Sequence, residues 1–244
     1  MLSSVAPWAA RIASMPAFPS VAELDAALRD RLALEPAVSL EPQVKTRKRR
    51  GPLDRDALYE VRIHVHRRVP TRERSWHDLT NALVWAAFPR SKRALTARQH
   101  AITEAVLPPG ATRLPGARTR EQDALAMVDE GGIVLLAAAN EVERVRRAQR
   151  EGDEAAMGAL LEAGSAAALV FGHAMMEHAV LGTLGVRGYG IVLELDPLPT
   201  SLEARIEACD IALARWLATS DELREPSPWR GIPLTLFERP IAAQ

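Results

Sequence analysis

The stretch SWHDLTNALVWAAF, residues 75–88, constrains the fold most, because it asks for a helix with two faces to cover. Ser75 is placed as an N-cap. Asp78, at the third helical position, can reach back to the cap's own N–H, and its charge suits the positive end of the helix dipole. At 3.6 residues per turn Trp76, Leu79, Leu83 and Val84 share a broad apolar face, while His77, Asn81, Trp85 and Phe88 line an adjacent one. His77 and Asn81 are four apart, which puts their Cβ atoms about 6 Å from each other on a helix. They form either a polar pair inside a packed core or one side of a site.

Other segments carry their own boundaries. Ser20 and Glu23 spell a capping box before the apolar stripe of Val21, Leu24, Leu28 and Leu32, and Thr200 and Glu203 spell another. Asn140 is read as an N-cap, followed by two short helices or one interrupted helix over 140–164. Residues 90–107 read as a helix stopped by Pro108, Pro109 and Gly110. Tyr59, Val61, Ile63 and Val65 alternate with Glu60, Arg62, His64 and His66, which predicts a strand over 59–66. Residues 125–138 read as a hairpin around Asp129–Gly132, with a helix followed by a strand as the alternative. Residues 165–182 read as one long helix ending at glycine, and 190–195 as a second strand. No solenoid repeat or extended heptad pattern is present.

Composition limits the classes that apply. The single cysteine, Cys209, cannot form an intramolecular disulfide, so the fold does not rely on an oxidising compartment. The N-terminus lacks the pattern of a secretory signal, and no apolar run reaches transmembrane length, so a cytoplasmic protein with no membrane association is expected. Residues 1–120 hold 21 Lys and Arg against 11 Asp and Glu, and the remainder reverses the balance. Two such halves can neutralise each other within one fold, or the first can meet an anion. Within it the Pro-flanked run around Lys45, Arg47, Lys48, Arg49 and Arg50 reads as a solvated loop that is also the candidate contact for nucleic acid.

The chemistry-bearing residues fall into a few groups. His173 and Glu177, four apart in GHAMMEH, let one helix supply an imidazole and a carboxylate to one metal or proton relay. His178 is rotated about 140° from His173 and points elsewhere. The spacing fits neither H-E-x-x-H nor H-x-x-E-H. A metal would need further ligands, for which His77, His100 and the pair His64 and His66 are candidates. His64 and His66 share their predicted strand face with Glu60 and Arg62, as a solvated surface would, and His100 with Glu104 suits a surface pair. No phosphate-binding loop, dinucleotide fingerprint, nucleophile elbow or cysteine zinc motif occurs.

The segments VPTRERSWHDLTNALVWAAFPR, VDEGG and VFGHAMMEHAV together resemble the bacterial family called domain of unknown function 3025, over about residues 58–185. That resemblance picks out Pro70, Thr71, Arg72, Trp76, His77, Asp78, Asn81, Trp85, Pro89, Asp129, Glu130, Gly172, His173 and Glu177. It implies relatives and no activity.

The expected fold is α+β, a predominantly helical single domain over 1–244 with a small sheet. Residues 36–55 form a basic loop and 225–244 an irregular tail. Two functions follow from the residues. One is a hydrolase with His77, Asp78, Asn81, His173 and Glu177 in a shared pocket, where His77, His173 and Glu177 would be the ligands of any divalent metal. The other is a non-catalytic binding or scaffold protein whose basic segment meets nucleic acid or an acidic partner.

Overall fold

The computed structural model describes residues 3–34, 36–43, 53–108, 110–183, 185–226 and 231–236. In chain order they form α1 (Ala6–Ala13), α2 (Val21–Ala27), α3 (Arg29–Leu32), β1 (Ser39–Pro42), α4 (Tyr59–His64), β2 (Arg68–Thr71), α5 (Trp76–Ala87), α6 (Pro89–Val106), α7 (Arg120–Gly131), β3 (Gly132–Ala137), α8 (Val142–Glu151), α9 (Glu154–Glu162), β4 (Ala166–Val170), α10 (His173–Val180), β5 (Arg187–Glu194), α11 (Leu202–Thr219) and β6 (Ile232–Pro233). The architecture is α+β and mostly helical.

β3 has no polar side chain and is buried along its whole length. A strand of that composition needs partners on both edges and cover on both faces. It lies antiparallel to β4, with Ile133 opposite Val170, and parallel to β5, with Ile133 opposite Gly190. β6 completes the order β4-β3-β5-β6, and β1 and β2 form a separate parallel pair. α5 starts at the Ser75 cap, whose side chain accepts from the Asp78 N–H, and every residue from Asp78 to Phe88 is buried. A helix covered on all sides belongs at the centre, and one apolar cluster built around it runs from Val5 to Leu234.

Three expected elements differ in the structure. The alternating run 59–66 is the helix α4, in which Val61 and Ile63 are buried while Tyr59 and Val65 are exposed. The pairing that follows explains this. β1 and β2 are parallel, a parallel pair needs a crossover, and α4 lies in that crossover. His64 and His66 therefore do not share a strand face: His64 stacks on His100 of α6 with ring centroids 4.6 Å apart, and His66 faces Asp56. Glu104 pairs with Arg55 rather than with His100. In place of a 125–138 hairpin, α7 runs directly into β3, starting from a Thr119–Gln122 capping box. The long helix over 165–182 is instead β4, a two-residue break and α10. Short apolar runs do not distinguish a buried strand from a buried helix, and here β3 supplies the strand partner.

Smaller boundaries also move. α8 starts at Val142 with Glu141 in the cap position and no side-chain cap, so Asn140 does not cap it. The last long helix is capped by Ser201 rather than Thr200. β1 occupies part of the expected 36–55 loop, and Ile232 and Leu234 of the expected tail are buried. Lys45, Arg47, Lys48, Arg49 and Arg50 lie outside the described residues.

α6 begins at Pro89 with no cap from Phe88, the residue before it. Asp210 of α11, fully buried, takes that role from across the core. Its Oδ1 accepts from the Ser91 N–H and hydroxyl, both at 2.8 Å, and Oδ2 accepts from the Arg90 N–H at 3.1 Å. Removing the carboxylate leaves the Arg90 and Ser91 N–H groups without that acceptor, while the Ser91 hydroxyl keeps the Asp210 carbonyl at 3.0 Å. Asp210→Ala is expected to lower stability by on the order of 3 kcal/mol. Urea unfolding followed by circular dichroism reads this as a lower midpoint at unchanged slope.

Candidate metal centre

The site forms where three helix ends meet: the start of α5, the C-terminal end of α7 and the start of α10. His77 belongs to the first turn of α5, and Asp129 and Glu130 to the last turn of α7, just before β3. His173 is the first residue of α10, directly after β4. The β3–β4 ladder fixes the last two against each other, because the Gly132 carbonyl accepts from the N–H groups of both Phe171 and Gly172, at 2.9 and 2.8 Å. A Cβ on Gly172 would stand 2.5 Å from the Gly132 nitrogen and 2.6 Å from the Glu130 carbonyl oxygen. Only glycine permits that approach.

The two imidazoles face each other. Their Nε2 atoms are 3.0 Å apart, with rings at 72°. Each ring's other nitrogen meets an oxygen that can only accept: His77 Nδ1 is 3.0 Å from Glu177 Oε2, and His173 Nδ1 is 2.8 Å from the Asp129 carbonyl. Both Nδ1 atoms therefore carry hydrogen. Burial pushes the His173 pKa down to about 4, opposed by the Asp129 charge and reinforced by Lys92 and His77. The ring is neutral near pH 7, and its Nε2 presents a bare lone pair to His77. Two lone pairs at that distance repel unless positive charge lies between them, which a proton on His77 Nε2 or a metal ion supplies.

Glu130 stands on the same side. Its Oε2 is 3.3 Å from His173 Nε2 and 3.9 Å from His77 Nε2. Among the described residues, His77, Glu130 and His173 form the group whose donor atoms could surround one ion, all lying within 4.8 Å of one another. Ligands about 2.05 Å from a tetrahedral ion are separated by about 3.3 Å, so a small widening of the imidazole pair would admit one. The Glu130 side chain is half exposed, which leaves one side of the group open to solvent.

The surrounding groups hold these three in place. Lys92, one of the chain's three lysines, is 2% exposed and pairs with Asp129 Oδ1. Its ammonium lies 5.6 Å from the Trp85 ring centroid and 5.9 Å from that of Phe171. Burial would raise the Asp129 carboxyl, but Lys92 and His173 hold it below the ordinary carboxylate range. Glu130 is raised by burial and by the neighbouring Asp129 charge.

Of the residues expected at the site, His77, His173 and Glu177 come together, with Glu177 Oε2 3.0 Å from His77 Nδ1. It binds the ring nitrogen turned away from His173, where it orients His77, and Glu130 is the carboxylate beside the facing Nε2 atoms. Asp78 commits both carboxylate oxygens to Arg72, at 2.8 and 2.9 Å, and so fastens β2 to α5; it does not reach back to its own cap. Asn81 donates to the Tyr59 hydroxyl at 3.2 Å. His178 is exposed and away from the pair, as its helical rotation predicts. Lys92 and Tyr59 carried no local signal, whereas Asp129 and Glu130 stood out only through the family pattern.

A family model described as "Protein of unknown function (DUF3025)" matches residues 46–236. No curated protein and no solved structure matches the chain.

Proposed function

We propose that this chain, which belongs to the DUF3025 family of proteins of unknown function, is a metal-dependent hydrolase centred on His77, Glu130 and His173. The observation that carries the reading is the pair of Nε2 atoms 3.0 Å apart, each ring held by an acceptor on its far nitrogen. Metal-binding histidines characteristically donate their second N–H to a carboxylate or a backbone carbonyl, and here one ring does each. Three protein ligands with an open side are the pattern of a catalytic zinc site, whereas structural sites are closed by four. Two imidazoles and a carboxylate suit a borderline divalent ion such as zinc, which would lower the pKa of a bound water and supply a nucleophile near neutral pH.

Elemental analysis of the purified protein, followed by zinc titration of the chelator-stripped form, tests the reading. Zinc near one equivalent, together with zinc-dependent cleavage of an activated ester, is the expected result. No uptake removes the proposal, and stoichiometric iron would replace hydrolysis by the oxygen chemistry that the same ligand set serves. Glu177→Gln still contacts His77 but loses the negative acceptor that makes the ring basic. It is expected to weaken zinc binding about 10- to 100-fold, measured by competition with a chelating dye, with little change in thermal stability of the metal-free protein.

A further inference from the structure

Tyr59, the first residue of α4, lies on the His77 face of α5 through its contact with Asn81. Asn81 is one helical turn beyond His77, and its amide nitrogen donates to the Tyr59 hydroxyl at 3.2 Å. A phenol that accepts one hydrogen bond still has its own proton to donate, and the structure gives that proton no acceptor among the described residues. Asn81 is 7% exposed, and its Oδ1 is buried without a partner, so the pair is not fully satisfied by the protein around it. Tyr59 is 40% exposed, so this corner is reachable from solvent, and its hydroxyl meets the buried Asn81. Burial, followed by the charges of Asp129, Asp78 and Glu130, raises the phenol above its ordinary pKa and keeps it a donor.

We propose that Tyr59, positioned by Asn81, donates a hydrogen bond to the oxygen of a carbonyl ligand bound at the His77–Glu130–His173 centre. The inference rests on the metal reading above and adds the class of ligand, a carbonyl compound whose oxygen gains negative charge. A neutral, pre-oriented donor beside a metal is suited to that oxygen, because it is held ready before charge develops and needs no reorganisation. Lys92 and Arg72 are engaged by Asp129 and Asp78, and of the two donors left, the Trp85 N–H is fully buried while Tyr59 is reachable from solvent.

The test uses the full chain loaded with cobalt(II), whose visible spectrum reports the metal's surroundings, and titrates it with acetohydroxamate, a carbonyl-bearing metal ligand. Tyr59→Phe keeps the ring and removes the donor. It is expected to bind cobalt as the wild type does and acetohydroxamate about 10-fold more weakly. Asn81→Ala is expected to weaken acetohydroxamate binding severalfold, and to add nothing in the Tyr59→Phe background, since it acts only through the phenol. Equal acetohydroxamate affinity in Tyr59→Phe and wild type overturns the role of Tyr59 and leaves the metal centre standing. Loss of cobalt binding in Tyr59→Phe also overturns it, by making the residue part of the metal's own support. Failure of the wild type to bind cobalt overturns both readings together.

Discussion

His173→Ala is expected to lose metal binding by roughly a few hundred-fold or more. The estimate follows from dividing the apparent binding energy of a zinc site, about 10–16 kcal/mol, among three or four ligands. His173 is also 3% exposed and donates to the Asp129 carbonyl. Removing it leaves a cavity and a carbonyl short of a donor, costing the metal-free protein on the order of 2 kcal/mol. Two readouts separate these losses. For the wild type, zinc at 100 times its dissociation constant should add about 2.7 kcal/mol of stability, seen as a raised Tm. For His173→Ala the metal-free Tm should fall and zinc should not restore it. His64→Ala is the control, because His64 stacks on His100, is not among the three grouped donors and should leave the zinc shift intact. A full zinc shift in His173→Ala would show that His173 is not a ligand of the metal.

That a single histidine can be assigned this weight was only partly legible in the sequence. The two i, i+4 pairs, His77 with Asn81 and His173 with Glu177, follow from helix geometry alone, and each pair shares one helix in the structure, although Asn81 bonds Tyr59 and Glu177 bonds His77. What periodicity could not supply is convergence. Glu130 belongs to a third helix and had no local partner at helical spacing. It sat in a Glu-Gly-Gly sequence that reads equally well as a turn, and it becomes a candidate ligand only because β3 and β4 pair. That pairing was itself hidden, since Ala166–Val170 is too short and too uniformly apolar for its period to be read. Tyr59 was concealed by the opposite effect. Its segment alternates clearly, but a strand there would leave the parallel β1–β2 pair without its helical crossover, and the tertiary requirement overrode the local pattern.

The same ladder makes Gly172 the second position where a small change should have a large effect. In Gly172→Ala the new Cβ would stand 2.5–2.6 Å from the Gly132 nitrogen, the Glu130 carbonyl oxygen and the Gly131 carbonyl carbon. All three are backbone atoms of the α7–β3 junction, so no side-chain rotation relieves the contact; the junction and the β4–α10 link must separate. Overpacking of this kind costs about 1–3 kcal/mol, and more when backbone has to move. Glu130 lies on one side of the separation and His173 on the other. The 3.3 Å between Glu130 Oε2 and His173 Nε2 should therefore widen, and zinc affinity should fall along with stability. Gly158→Ala supplies the comparison. That glycine is in the middle of α9, and the nearest atom to its Cβ would be Leu236 Cδ2 at 4.0 Å. Adding a methyl there should stabilise the protein by about 0.5–1 kcal/mol, through helix propensity, with zinc binding unchanged. Measured together by urea unfolding and zinc titration, the two alanines should move stability in opposite directions, and only Gly172→Ala should weaken the metal centre. If Gly172→Ala bound zinc like the wild type, the close approach at Gly172 would not be what holds His173 against Glu130.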